Sequence, residues 1–311
     1  MNHWPKLDCD TFQETYDFLD MTCQIVGKYR LANTVWLNHS WQATFYVDSK
    51  GLTSSCINEA HQTFEARFDF VHSELVIQCS DGNSAQVPLK SQSVAEFYQN
   101  FRSQLESLGA NPNFHRKPNE VDPSIPFAEQ TKILKYDAQA ALDYWKALQR
   151  IARVFEDFRS GYIGKVSPVH YFWGSADLAV TRFSGREAPL HPGGIPALPD
   201  AVAQEAYSHE VSSAGFWKGK GLGYPAFYSY AYPSPDGFEK ASIEPFEAFF
   251  SKELGEFVLS YEVVRASDDP EAKLMQFLES SYLAAADLGN WDRAALECER
   301  GRPGVPRALL R

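Results

Sequence analysis

The chain has 311 residues, room for two compact domains or one large one, and its 44% hydrophobic and 22% charged residues suit a globular protein with a sizeable core. Its net charge of -11 weighs against nucleic acid and against an anionic membrane surface as partners. The first ten residues lack the basic and apolar stretches of a secretory leader, and no run approaches the roughly 20 apolar residues that cross a bilayer.

The cysteines, Cys9, Cys23, Cys56, Cys79 and Cys298, are odd in number and irregularly spaced. They predict neither a disulfide framework nor a structural zinc, and a reducing, cytoplasmic setting is expected.

In chain order, a first helix is expected from an Asp10 cap with Gln13 in capping-box position. Its apolar stripe is Phe12, Tyr16, Leu19, Cys23 and Val26, and Gly27 is expected to end it. The period then changes to two: Trp41, Ala43, Phe45 and Val47 alternate with polar residues, as do Phe64, Ala66, Phe68 and Phe70. Leu75, Ile77 and Cys79 read as the returning arm of a hairpin, Asp81-Gly82 as the next turn, and a short strand runs to Leu89. Ser93 and Glu96 open a helix carrying Val94, Phe97, Phe101, Leu105 and Leu108, with Gly109 at its C′ position. A Pro-rich connection over 116–136 follows, including Pro118, Pro123 and Pro126. Asp137 caps a second long helix with the stripe Ala141, Tyr144, Leu148, Ile151, Phe155 and Phe158, ending at Gly161 or Gly164. Strands are expected at Leu178–Arg182 and at about 206–213, 226–232 and 256–261. A closing helix is capped by Asp269, with Pro270 at its first position, and ends at Leu288-Gly289. The Arg-rich stretch from Glu299 onward reads as a frayed tail.

The order of helix, strands and helix occurs twice. Gly27-Lys28 matches Gly164-Lys165, and a tryptophan follows each lysine by eight residues, at Trp36 and Trp173. The expectation is an α+β fold of two diverged helix–antiparallel sheet–helix units in tandem, related by a pseudo-twofold. They span 1–115 and 137–296, joined by 116–136 and followed by a disordered tail, 297–311. The second unit is longer by its loops at 187–200, 218–225 and 233–253, where function often resides.

No nucleotide, zinc or nucleophile motif stands in its required context, so no cofactor is expected. Gly219, Gly221 and Gly223 lack the strand-to-helix setting of a phosphate loop and read as a flexible turn. Both Gly-Lys pairs read as helix C-caps. What remains is a polar cluster: Lys165, His170, Asp177, Arg182, His209 and Glu210. Histidine, carboxylate and guanidinium together suit a small anionic metabolite or acid–base chemistry. In particular, Arg182 and His209 are expected to touch the ligand, under loops 187–200 and 218–225. The alternative is that these residues form structural hydrogen-bond networks in a non-catalytic interaction or scaffold protein. The triple Ser208-His209-Glu210 is not read as a triad, because neighbours on a strand point to opposite faces. A metal at His170, Asp177 and His209 has no spacing to support it.

Four runs, QIVGK at 24–28, SPVHYFWGS at 167–175, DLAVTRFSG at 177–185 and AYSHEVSS at 206–213, resemble the bacterial domain-of-unknown-function family 5996. The resemblance covers nearly the whole chain, to about Leu296. It implies a bacterial source and brings no activity, cofactor or catalytic residue with it.

Overall fold

The computed structural model describes residues 4–7, 9–219 and 222–307, without the side chains of 9–11. The elements run α1 (Cys9–Asn33), β1 (Thr44–Val47), β2 (Gly51–Asn58), β3 (Thr63–Asp69), β4 (Glu74–Cys79), β5 (Ser84–Pro88), β6 (Gln92–Ser93), α2 (Val94–Ser107), β7 (Ile133–Leu134) and α3 (Ala138–Ser160). They continue with β8 (His170–Phe172), β9 (Asp177–Glu187), α4 (Asp200–Ala206), β10 (His209–Trp217), β11 (Ala226–Tyr232), β12 (Phe249–Ser251), β13 (Glu256–Ser260), α5 (Tyr261–Arg265), α6 (Pro270–Leu288) and α7 (Arg293–Leu296). The fold is α+β.

Eleven strands form one antiparallel sheet in the order β12-β13-β11-β10-β9-β8-β1-β2-β3-β4-β5. The stretches read as two units therefore share a sheet, joined where Thr44 and Phe45 of β1 pair with Phe172 and Tyr171 of β8. Counting outward from that pair, each half lays down its first four strands in chain order. Beyond them β5 follows β4 on one side, while β12 lies outside β13 on the other.

The helices form where their caps and stripes placed them. Ser93, Asp137 and Asp269 each accept a hydrogen bond from the backbone N–H three residues on. Apolar side chains of α1, α3 and α6 line one face of the sheet, where Tyr144, Phe155 and Leu278 are fully buried. Asp10, expected to precede the first helix as its cap, lies within α1, which begins at Cys9; Gly221 lies outside the described residues.

Three local readings are corrected. The first helix does not end at Gly27 but continues to Asn33. A Cβ at Gly27 would lie 2.3 Å from the Trp173 ring, so this glycine lets an indole press against the helix flank. The Gly-Lys pair at 27–28 is thus mid-helix and not a C-cap; the cap of α3 is Gly161. Strand β1 begins only at Thr44, because residues 38–40 form a 3-10 turn with His39 and Ser40 at positive φ. Strand β2 has no counterpart in the sequence reading. It carries a bulge between Thr53 and Cys56, with Ser55 at φ 54°, which breaks the period-two pattern.

Gly27→Ala should therefore destabilise the fold by about 1–3 kcal/mol, the usual cost of overpacking, although alanine is the better helix former. Urea unfolding followed by circular dichroism measures it. A neutral or stabilising result would mean that Trp173 moves aside freely.

Candidate functional site

Side chains alternate along β9. Leu178, Val180 and Arg182 face the helices, while Asp177, Ala179, Thr181 and Phe183 face the other way, into a cavity of about 670 Å³. That is within the roughly 300–1,000 Å³ of small-molecule sites. Strands β10, β11 and β13 extend its floor with Ser213, Trp217, Tyr228, Tyr230 and Glu256. Leu198, Val202, Ala206 and Tyr207 from the insertion after β9 form a roof, and Lys28, Asn119 and Trp173 close one end.

The wall at that end is pinned by α1. The Gln24 side chain accepts from Asn119 N at 2.8 Å and donates to Asn119 O at 3.1 Å, while Lys28 Nζ donates to Asn119 Oδ1. One turn of helix thereby fixes the Pro-rich connection against the cavity. Lys28 also lies 5.4 Å from the centre of the Trp173 ring. Burial lowers its pKa to about 8, with Glu120 acting in the opposite direction. The roof is tied down at several points. Glu120 N donates to Pro196 O at 2.9 Å, Trp36 Nε1 donates to Glu205, and His39 Nδ1 donates to Ala206 O at 2.8 Å.

Three carboxyls line the cavity: Glu120, which acts on Lys28, and the pair Asp177 and Glu256. Asp177 is 7% exposed and accepts from Ser175 Oγ at 2.5 Å and from the Tyr228 hydroxyl. Burial pushes its pKa up. Glu256 is pushed up to about 7, first by burial and then by the charge of Asp177. Tyr228 reaches Asp177 because it lies across Gly215, where a Cβ would come within 2.3 Å of its ring. The hydroxyls of Tyr207 and Tyr230 are 2.9 Å apart. Two lining tryptophans, Trp173 and Trp217, have buried indole N–H groups with no acceptor in the protein.

Of the six residues singled out in the sequence, only Asp177 lines this cavity. Lys165 Nζ donates to His39 Nε2 at 2.6 Å; His39 lines the cavity and its Nδ1 carries the proton given to Ala206. His209 lies behind that pair, its ring 5.8 Å from His39, and its Nδ1 is 3.1 Å from Ser208 Oγ. His170 is buried against Trp41, Tyr46 and Phe172, and burial depresses its pKa to about 3. Glu210 accepts from Ser184 and Arg186 at 2.7 and 2.6 Å.

Arg182 points to the opposite face of the sheet. Its guanidinium lies 3.5 Å from the centre of the Phe158 ring and 4.3 Å from that of Tyr282, donates to Phe158 O at 2.5 Å, and stands 3.7 Å from Glu279. Arg182 thus packs between α3 and α6 and does not line the cavity. Of the two loops expected to cover a mouth, the described part of 218–225 does not line the cavity, whereas 195–199 does. Among the described residues, one trio of ligand atoms lies close enough for a metal: Asp69, His72 and Glu74. Asp69 is already engaged there by Lys50 at 3.1 Å and His72 at 2.9 Å.

The sequence reading passed over Glu256, Tyr228, Tyr230, Trp217 and Asn119. The available signal was Tyr228, Tyr230 and Tyr232 at period two, a row of phenol rings along one strand face. In comparison with known proteins, the sequence model of a family of unknown function (DUF5996) matches residues 4–298. No curated protein and no solved structure matches the chain.

Two outcomes follow from the placement of Arg182 and His170. Arg182→Ala should cost about 3 kcal/mol of stability, since it strands Glu279 and opens the α3–α6 contact, while leaving ligand affinity at the cavity unchanged. Chemical denaturation and a binding titration on the same variant read both; intact stability with lost binding would place Arg182 in the site after all. For His170 the folded pKa lies below the ordinary value of about 6.5, so the unfolded chain takes up the proton first. Stability should fall as pH drops from about 6.5 toward 3, and His170→Phe should flatten that part of the curve of melting temperature against pH. An unchanged slope in the variant would assign the acid sensitivity to other groups.

Proposed function

The chain belongs to this family of unknown function, which supplies no activity, and from the site itself we propose that the protein binds a small, mostly apolar molecule in the cavity between sheet and roof. The observation that carries the reading is an aromatic-walled space of about 670 Å³ between sheet and roof, lined by Trp173, Trp217, Tyr228 and Phe183. A closed core would fill such a space. These ring surfaces supply apolar contact for the ligand. The unpaired cysteines, among them buried Cys23 and Cys79, suit a reducing, cytoplasmic place of action. None of the described helices is long and apolar enough to cross a membrane.

Four of the seven tryptophans, Trp36, Trp41, Trp173 and Trp217, line the cavity, so occupancy can be read from intrinsic fluorescence. The neutral probe phenylnaphthylamine should bind once per chain and quench this emission. Ala179→Trp, which fills the floor between β8 and β10, should weaken that binding by about tenfold or more, with a melting temperature near that of the wild type. Undiminished binding in a folded Ala179→Trp protein would locate the probe elsewhere and remove the support for this reading.

A further inference from the structure

Resting on that reading, we infer that the cavity's natural occupant carries a cationic amine, seated between Asp177 and Glu256 against the rings of Tyr228, Tyr230 and Trp217.

Three carboxyls and one lysine line the cavity; Lys28 is coupled to Glu120, which leaves Asp177 and Glu256. Asp177 receives two hydroxyl hydrogen bonds, which orient it but do not neutralise it. Among the described residues, no Lys, Arg or His stands in an ion pair with Asp177 or Glu256, and none is among the causes of their pKa shifts. The lining lysine, Lys28, is engaged by Asn119, the Trp173 ring and Glu120. Asp177 and Glu256 repel each other, so an anionic occupant beside them would add further negative charge. A cation would relieve both.

The walls favour the same sign. Tyr228 and Tyr230 are stacked 6.0 Å apart at 19°, and Trp217 meets Tyr228 edge-on at 6.2 Å. Ring faces carry partial negative charge and attract ammonium groups, most strongly where water is excluded. Trp173, beside Lys28, adds a further ring to the lining. Of the Lys165–His39–His209 group only His39 lines the cavity, with Nε2 facing Lys165 and Nδ1 facing Ala206 O.

Proton linkage follows. The groups facing Glu256 are Asp177 from β9, Tyr228 and Tyr230 from β11, and Tyr207 from the roof; the phenols stay protonated, since burial pushes all three upward. An ammonium entering below about pH 7 must therefore expel a proton from Glu256. Amine affinity should rise with pH through about 7 and then level off, and a neutral ligand should show no such rise.

The test compares three probes with one apolar body: phenethylamine, phenethyl alcohol and hydrocinnamate. Each is titrated calorimetrically into the full chain in buffers of different ionisation enthalpy. The amine is expected to bind about tenfold tighter than the alcohol, with proton release below pH 7, and hydrocinnamate weakest. Asp177→Asn and Glu256→Gln, separately and together, should bring the amine down to the level of the alcohol and leave the alcohol unchanged. Because Glu256 is only half-buried, E256Q keeps the test available if D177N fails to fold. The inference is overturned if the alcohol or the acid binds as tightly as the amine, or if the preference survives E256Q and D177N. If phenylnaphthylamine binds and phenethylamine does not, the inference falls and the cavity reading stands. If neither binds, both fall.

Discussion

The alternation of side chains along β9 is the constraint on which the rest of the structure depends. This strand is eleven residues long, has β8 and β10 as neighbours, and is covered on both faces over most of Asp177–Phe183. One face receives α3 and α6; the other is the floor of the cavity. The same backbone thus delivers Arg182 into a helix contact and Asp177 into an enclosed aromatic space, five residues apart and on opposite sides. Neither environment is cheap for a charged group. The guanidinium is covered by three rings and one carboxylate, whereas the carboxyl is met by hydroxyls alone. The contrast separates a solved structural burial from an unsolved one.

Glycine sets the closest approaches around this floor. Gly27 lets Trp173 rest on α1, and Gly215 lets Tyr228 lie flat across β10 to reach Asp177. Both are positions where a missing side chain is what the neighbouring ring requires. The α1 segment also holds Asn119 through Gln24 and Lys28, so a connection that looks like mere linker in the sequence becomes a wall.

Much of the fold was legible because its signals are local. Ser93, Asp137 and Asp269 cap the helices they announce, and the alternation Phe64, Ala66, Phe68 becomes β3, with Phe70 just beyond its end and all four buried. Strand β2 was not legible because its bulge at Ser55 resets the alternation halfway. Gly27 was misread because a helix-ending glycine and a glycine under an indole look alike until the indole, 146 positions later, is in place. The site was legible only in Asp177. Parity could have separated it from Arg182, since an odd spacing on one strand means opposite faces. Glu256 and Asn119 could not be found locally, because their meaning comes from partners on other strands and on α1.

The roof is fastened by polar ties: Glu120 to Pro196, Trp36 to Glu205, His39 to Ala206 and Tyr207 to Tyr230. Each has water as a ready substitute, so opening costs little in equilibrium terms but requires several ties to break together. On the proposed reading, exchange of an occupant would be paced by this loosening, with association slower and residence longer than at a preformed open cleft.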